Sequence, residues 1–324
     1  MCTAFKKWDQ LIAVLFFITN LTAAHAQDYP IRAIRLVNPY APGGSTDPVI
    51  RPITLKLQEA WGQAIFIDNK PGAGTNLGSE LVAKSKPDGY TLLLGTSSLA
   101  ISPSLYKNLN YDPAKDLVPI AMLVNAPFTF AISSKLPFKT LKELIEHARQ
   151  NPNQLTYGSS GNGGAIHLAM ELFQSITKIK LLHIPYKGSG QALSGLISGD
   201  INVMLSPEIN FTQHVKTGKI RTLAVASPKR IEGLQLPTVS ESGMVGFEAG
   251  VWMALFAPAE TPKAIIQKIN QEVGKVLKDK TMIDNFSKMG MEIGSGSPED
   301  LARFYLKDMQ RWPQVVQDSG AKID

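Results

Sequence analysis

The chain has 324 residues, which is long for a single α/β domain and enough to bury two hydrophobic cores. A composition of 44% hydrophobic and 19% charged residues excludes disordered, collagen-like and multi-span membrane proteins. The net charge of +6 comes without a basic cluster larger than one Lys-Arg dipeptide, so we expect no nucleic-acid partner.

The chain begins with the pattern of an export signal. Two lysines precede an apolar stretch over residues 11–24, and an Ala-His-Ala motif at residues 24–26 has the small-x-small form that signal peptidase accepts. We therefore predict a signal peptide over residues 1–26, cleaved before Gln27, and a periplasmic mature protein. An uncleaved anchor is the weaker alternative, because the apolar stretch is shorter than the ~20 residues that span a bilayer.

Cysteine and histidine usage argues against metal chemistry. The only cysteine is Cys2, which lies before the predicted cleavage site, so the mature chain is predicted to contain no disulfide, zinc knuckle or cysteine nucleophile. The histidines are scattered, with no two at metal-ligand spacing. The sequence therefore predicts neither a metal ion nor a cofactor.

The first third of the mature chain alternates between strand and helix patterns. Short apolar runs and amphipathic stretches predict strand, helix, strand, helix and strand in turn, over residues 34–38, 49–61, 64–68, 75–85 and 90–94. Asp47, directly before Pro48, has the pattern of a helix N-cap, and residues 95–98 indicate a polar loop. This alternation is typical of an α/β fold with parallel strands and binding sites at their carboxyl ends.

A long apolar stretch then predicts a strand that passes from one lobe to another. It covers residues 117–133, after which the strand and helix alternation restarts, and a second apolar passage follows at residues 251–257. Two passages between two α/β lobes permit hinge motion about a fixed axis. We predict that residues 28–124 and 255–324 form lobe 1, and that residues 125–254 form lobe 2.

Two glycine-rich loops, at residues 42–47 and 158–164, each lie between a predicted strand and a predicted helix. Glycines let backbone N–H groups converge, and the helix start adds partial positive charge, so each loop could hold one end of a carboxylate ligand with neutral donors. Ordinary turns remain the alternative for either loop alone. Nucleotide binding fits poorly, because the second loop lacks the Lys-Ser/Thr of a P-loop.

Single residues near these loops allow more than one role. His167 lies one turn into the second helix and could face a ligand, although a core or helix-end role is favoured. Lys187 could reach a carboxylate but is more typical of a solvated lysine, and Trp252 on the second passage fits a core or hinge position.

Catalytic motifs are missing from the sequence. No Gly-x-Ser-x-Gly or His-Glu-x-x-His pattern occurs, and a Ser160–His167 pair would have no clear carboxylate to orient it. We therefore expect no enzymatic activity, with a serine hydrolase as the alternative from that class.

Six motifs together resemble one family of proteins. They are Pro-Tyr-Ala-Pro-Gly-Gly-Ser-Thr-Asp at 39–47, Asn-Lys-Pro-Gly-Ala-Gly at 69–74, Lys-Pro-Asp-Gly-Tyr-Thr-Leu-Leu at 86–93, Tyr-Asp-Pro-x-Lys-Asp-Leu-x-Pro-Ile at 111–120, Leu-Phe-Ala-Pro-Ala-x-Thr-Pro at 255–262, and Tyr-Pro-x-Arg-x-Ile-Arg-Leu-Val from residue 29. Their order resembles the Bug or TctC family, the periplasmic solute receptors of tripartite tricarboxylate transporters. The resemblance covers about residues 29–320.

The resemblance implies a two-lobed periplasmic binding protein of the Venus-flytrap, type II-like kind, with an α/β fold and two interlobe crossovers. It implies that a small organic acid, a mono-, di- or aromatic carboxylate, is bound between the lobes of a monomer and passed to integral membrane permease subunits. A sensor that acts on a membrane signalling partner is the alternative function.

The resemblance and the two loops together define the predicted ligand-binding residues. They are Tyr40, Ala41, Gly43, Gly44, Ser45, Thr46, Thr96, Ser97, Ser159, Ser160, Gly161, Gly163, Ala165, His167 and Ser206. At Ser206 many relatives carry an acidic residue, and its absence here disfavours a ligand with an ammonium group.

Overall fold

The structure, a computed structural model, describes residues 29–43, 46–186, 188–231 and 233–319. The predicted signal peptide, Gly44, Ser45 and Lys187 lie outside the described residues. The strands are β1 (Ile34–Asn38), β2 (Ile65–Asn69), β3 (Thr91–Thr96), β4 (Leu117–Ser133), β5 (Thr156–Ser159), β6 (Leu182–Pro185), β7 (Val203–Pro207), β8 (Ile220–Val225), β9 (Gly250–Pro258) and β10 (Glu292–Ile293). The helices are α1 (Asp47–Trp61), α2 (Asn76–Ala83), α3 (Ser97–Leu105), α4 (Leu141–Gln150), α5 (Ala165–Thr177), α6 (Ser189–Ser198), α7 (Thr212–Lys216), α8 (Lys263–Leu277), α9 (Lys280–Lys288) and α10 (Pro298–Ser319).

The strands form one sheet in the order β2-β1-β3-β9-β4-β7-β5-β6, with β8 and β10 also paired to β4. Strands β1, β2 and β3 are mutually parallel, as are β5, β6 and β7, which confirms the predicted parallel units. The passages β4 and β9 instead pair antiparallel with their neighbours, so the sheet as a whole is mixed.

Strand β4 joins the two halves of the sheet, and its bounds coincide with the predicted strand. From Leu117 to Pro127 it pairs with β9, and from Phe128 to Ile132 it pairs with β7. We call β1–β3, β9, β10 and the first part of β4 the first half, and β5–β8 with the rest of β4 the second half. The α/β fold with two crossovers is therefore confirmed, whereas the exact limits of the lobes stay a prediction.

Each half has a core of its own. One cluster of buried side chains is drawn entirely from residues 128–249 and centres on Phe130, Phe173 and Phe247. A second is drawn from residues 29–126 and 253–291, where α1 and α8 cover the first half. Helix α10 packs on both α3 and α5, and its Asp308 accepts a hydrogen bond from Trp252 Nε1 at 2.8 Å. Trp252 is thus buried at the junction, as its predicted core or hinge role requires.

Two local predictions need correction. Thr46, not Asp47, occupies the N-cap position of α1, so Asp47 is the first helical residue. Residues 97 and 98, predicted as loop, begin helix α3, whose N-cap Thr96 accepts a hydrogen bond from Ser98 N. The helix is short and rich in serine, and Pro103 interrupts its pattern, which is why periodicity did not reveal it.

Candidate ligand-binding site

A cleft of about 600 Å³ separates the two halves of the sheet at the carboxyl ends of several strands. The loops after β1, β3, β5, β6 and β7 reach it from both sides. Its lining consists of Tyr40, Ala41, Thr46, Thr96, Ser97, Ser98, Ala126, Phe128, Ser160, Gly164, Ala165, Ile166, Gly188, Ser189, Gly190, Ser206, Pro207, Ile209, Asn210, Val251, Met253 and Met291. Carboxyl ends of strands are where open α/β sheets bind ligands.

The first half lines the cleft with hydroxyl groups. The Tyr40 hydroxyl is hydrogen-bonded to Thr96 Oγ1 at 2.8 Å and to Ser98 Oγ at 3.2 Å. Burial raises the pKa of Tyr40, so the phenol stays neutral and keeps its proton to donate. Ser97 Oγ is buried, lies on the cleft wall and has no hydrogen-bond partner. A buried hydroxyl without a partner is costly, and a ligand acceptor would relieve that cost.

The carboxylate of Asp47, at the start of α1, holds Gly43 of the first glycine-rich loop in place. Asp47 Oδ2 accepts hydrogen bonds from Gly43 N at 2.9 Å and from Nε and Nη2 of Arg51 at 3.0 and 2.9 Å. The Gly43 amide and the Arg51 guanidinium keep the pKa of Asp47 below its usual value. Thr46 Oγ1 is fixed in turn by Asn38 Nδ2 at 3.0 Å.

The second half lines the cleft mainly with the starts of two helices. Helix α5 begins after Gly164 and α6 begins after Gly188, and neither N-cap has a side-chain hydrogen bond. The first amides of a helix lack intrahelical partners and carry partial positive charge, so both starts favour an anion in the cleft. The Ser206 hydroxyl beside them accepts a hydrogen bond from Asn210 Nδ2 at 2.7 Å.

The cleft is neutral and partly apolar over its described lining. None of the lining residues that the structure describes carries a charged side chain. Between the polar walls lie Phe128, Val251 and Met253, which would contact a hydrocarbon segment rather than a second charge. The arrangement suits an anionic group held by neutral donors, with an apolar part beside it.

Eight of the predicted site residues line this cleft: Tyr40, Ala41, Thr46, Thr96, Ser97, Ser160, Ala165 and Ser206. Five others, Gly43, Ser159, Gly161, Gly163 and His167, are not in its lining. Gly44 and Ser45 lie outside the described residues, so their place stays a prediction.

Four of the five residues that do not line the cleft are hydrogen-bonded in pairs, Ser159 with Gly161 and Gly163 with His167. Ser159 is fully buried, and its Oγ contacts His183 Nε2 at 2.7 Å and the Gly161 backbone. The Gly163 amide donates to His167 Nδ1 at 3.0 Å. His167 is thus a buried residue near the start of α5. Its Nδ1 accepts a hydrogen bond from the Gly163 amide and not from Ser160.

Sequence reasoning missed several cleft residues. Gly188, Ser189 and Gly190 form the start of α6, and their Gly-Ser-Gly pattern after a strand is the same signal that revealed the other loops. Phe128, Met253 and Met291 have no local pattern that separates cleft from core. Their place depends on how the two halves meet.

Metal-binding and membrane-spanning features are absent from the described ranges. Residues 29–43, 46–186, 188–231 and 233–319 contain no group of three or more His, Cys, Asp or Glu side chains placed to hold a metal ion. Over the same ranges, every helix is too short or too polar to cross a bilayer.

Two α/β halves joined by two strands, with a neutral cleft between them, are the architecture of a solute-binding protein. The family model TctC, described as "Tripartite tricarboxylate transporter family receptor", matches residues 49–321. The chain belongs to this family of solute-binding receptors.

Individual relatives cover nearly the whole chain. Protein BugT of Bordetella pertussis is 35% identical over 97% of this chain and 98% of its own length. A solved structure of R. palustris Rpa4515 with adipate is 34% identical, with a TM-score of 0.81 over 91% of this chain and 100% of that one. MatC (Rpa3494) from Rhodopseudomonas palustris with bound malate is 30% identical, with a TM-score of 0.76 over 89% and 100%.

Proposed function

We propose that this protein is a periplasmic receptor that binds a small organic carboxylate in the cleft and delivers it to a tripartite tricarboxylate-type membrane transporter. One observation carries the proposal: the start of α3 in the first half and the starts of α5 and α6 in the second half line one cleft without a charged side chain among its described residues. Such a site holds an anion by amides and hydroxyls.

The ligand chemistry follows from the two polar walls and the apolar residues between them. One carboxylate fits against Ser97 and Tyr40 in the first half, and a second polar end fits against the α5 and α6 starts. The adipate and malate bound by two related structures are both dicarboxylates, which supports this class. An α-amino acid is disfavoured, because the described lining offers no carboxylate for its ammonium group.

Both walls are needed for useful affinity. A hydrogen bond to a charged acceptor contributes about 1.5–3 kcal/mol, whereas association costs on the order of 4–15 kcal/mol. Donors from a single half would barely offset that cost. A ligand that touches both halves therefore shifts the open and closed states toward closure.

Export and membrane partners follow from the sequence and the family. The signal pattern at residues 1–26 supports delivery to the periplasm, and the family description supports a permease as the membrane partner. We propose that the mature receptor starts at Gln27, is monomeric and binds without catalysing a reaction. Intact-mass measurement of the secreted protein tests the cleavage site.

A thermal-shift panel tests the binding function. Adipate, malate, citrate, benzoate and aspartate are compared, since a ligand at 100 times its Kd stabilises the folded protein by about 2.7 kcal/mol. We expect stabilisation by at least one of the first four acids and none by aspartate. No shift with any of the carboxylates would overturn the proposal.

The variant Ser97→Ala separates ligand binding from stability. It removes a buried hydroxyl that lacks a partner, so we expect the ligand-free protein to gain about 1 kcal/mol of unfolding free energy. Carboxylate affinity should nevertheless fall about tenfold or more. Ser104→Ala, at the far end of the same helix, is the matched control and should change neither quantity. Unchanged affinity in Ser97→Ala would contradict the placement of the ligand.

A further inference from the structure

The two loops of the cleft are closed by the same type of hydrogen bond. In the first loop the Gly43 amide donates to a side chain four residues later, Asp47 Oδ2, at 2.9 Å. In the second loop the Gly163 amide donates to a side chain four residues later, His167 Nδ1, at 3.0 Å. Both glycines have positive φ, 79° and 72°, a backbone conformation that glycine adopts without strain.

The acceptor of the second loop belongs to a stack of three aromatic rings. The ring centroid of His167 lies 4.0 Å from that of His183 with an interplanar angle of 8°, and the Tyr157 ring lies nearly parallel to both, at 4.7 Å from His183 and 6.4 Å from His167. His183 also contacts Ser159 Oγ at 2.7 Å, and this hydroxyl is bonded to both N and O of Gly161. The two histidines thus hold the loop from its beginning to its end.

The hydrogen bond from Gly163 requires a neutral His167. An amide can donate only to an unprotonated Nδ1, so the proton of the ring lies on Nε2. The carboxylate on the same helix, Glu171, is 3.9 Å from Nε2 and is engaged by the Tyr157 hydroxyl at 2.5 Å and by Gln174 Nε2 at 2.7 Å. Burial and the neighbouring His183 lower the pKa of His167 to about 4, and burial lowers the pKa of His183 as well.

We infer that His167, supported by His183, is a positioning residue whose neutral ring holds the second loop in its ligand-binding shape. This inference rests on the proposed function. His167 does not line the cleft, whereas Ser160, Gly164 and Ala165 of the loop and helix start do. Loss of the Nδ1 acceptor would free the Gly163 amide, and the donors aimed at the ligand would shift with the loop.

A neutral acceptor fits this position better than a carboxylate. The negative charge of Asp47 is balanced by Arg51, which donates hydrogen bonds to the same Oδ2 that accepts from Gly43. His167 is 5% exposed, and its neighbours Tyr157, His183 and Glu171 offer no cation. An unpaired carboxylate there would be costly to bury and would repel an anionic ligand.

Two variants of His167 test the inference, with adipate and malate as probes at pH 7.5. His167→Asn keeps an acceptor, since its Oδ1 can take the place of Nδ1, and should bind within about threefold of the wild type. His167→Leu replaces the ring with an apolar side chain that can stay buried but has no acceptor, and it should bind at least tenfold more weakly. His214→Asn, on α7 and outside the cleft lining, is the control and should be unchanged. Equal affinity in the Leu and Asn variants would overturn the inference.

Amide hydrogen exchange in the ligand-free protein gives a second readout. The Gly163 amide should be protected in the wild type and in His167→Asn, and should exchange at least tenfold faster in His167→Leu. This result does not depend on any ligand. If the wild type binds no carboxylate, the proposed function fails while the exchange data still decide whether His167 holds the loop. Unchanged Gly163 protection in His167→Leu would contradict the inference by itself.

Discussion

The two walls of the cleft, one formed by the lining residues of each half, present different hydrogen-bonding groups. The first half presents side-chain hydroxyls from Tyr40, Thr46, Thr96, Ser97 and Ser98, several of which are bonded to one another. The second half presents mainly glycines and small residues at two helix starts. Side-chain donors can be altered by single substitutions, whereas backbone donors depend on the loop that holds them. The first wall is therefore the better place to change selectivity, and the second the better place to change affinity for any anion.

The largest expected effect comes from removing the Asp47 carboxylate, which supports the first wall through Gly43 without lining the cleft. Asp47→Ala deletes the acceptor of the Gly43 amide and the partner of Arg51, so we expect about 3 kcal/mol less unfolding free energy and at least a hundredfold loss of carboxylate affinity. Denaturant unfolding and calorimetric titration measure the two effects. Asp68→Ala is the control, because Asp68 pairs with Arg35 and Lys70 away from the cleft. If both variants lost affinity equally, Asp47 would have no special role in supporting the first wall.

A second test concerns Glu208, which lies between the cleft residues Pro207 and Ile209. Its side chain is 8% exposed, and its Oε2 has no hydrogen-bond partner. Burial raises the pKa of Glu208 to about 7 from its ordinary 4.5, so the folded protein holds a proton that the unfolded chain releases between these values. The contribution of protonated Glu208 to the free energy of unfolding is therefore fully present below about pH 4.5 and is lost as pH rises through 7.

The variant Glu208→Gln should remove that loss. We expect it to be about 2–3 kcal/mol more stable than the wild type at pH 8 and similar to it at pH 4.5. Denaturant unfolding at the two pH values measures the difference. Glu260→Gln, on an exposed turn, is the matched control for the substitution itself. A Gln variant that is less stable at pH 8 would show that the carboxylate is paired after all.

The smallest expected effect concerns the hydroxyl network of the first wall. Tyr40→Phe removes the group that bridges Thr96 and Ser98, so we expect a loss of about 1 kcal/mol in stability and of about fivefold in affinity. Calorimetric titration with adipate checks the affinity. Tyr186→Phe, in the second half and outside the cleft lining, should bind as the wild type does. If both variants lost affinity equally, the Tyr40 hydroxyl would have no specific role in the first wall.

Local sequence patterns predicted the parts of the fold that depend on local chemistry. The apolar stretch 117–133 marked β4 from end to end, and Gly164 before an amphipathic stretch marked the start of α5 at Ala165. The start of α3 was missed because a serine-rich nine-residue helix has almost no amphipathic face. Antiparallel pairing of the passages was missed as well, since strand direction is set by the path of the whole chain.

The sequence predicted site residues only in loops that have a recognisable composition. Glycine and hydroxyl residues after strands indicated Tyr40, Thr96, Ser97 and Ser160, all of which line the cleft. The direction in which a loop atom points was not predictable. Ser159 is hydrogen-bonded to the half-buried His183 on β6, and the Gly163 amide donates to the buried His167 on α5. Met253 and Met291 come from distant parts of the chain, so their place follows from tertiary packing alone.

The continuity of β4 has a mechanical consequence. A strand that is hydrogen-bonded along both parts of its length cannot stretch, so the halves can change their angle only by bending or twisting this ribbon. Its ladder with β9 is irregular between Pro119 and Ala121 and between Met122 and Val124, and its ladder with β8 between Phe130 and Ala131. Such irregularities bend a strand and increase its twist. Any change in the angle between the two halves would therefore have to bend β4 at these irregular positions, because a continuous strand and not a loop joins the halves there.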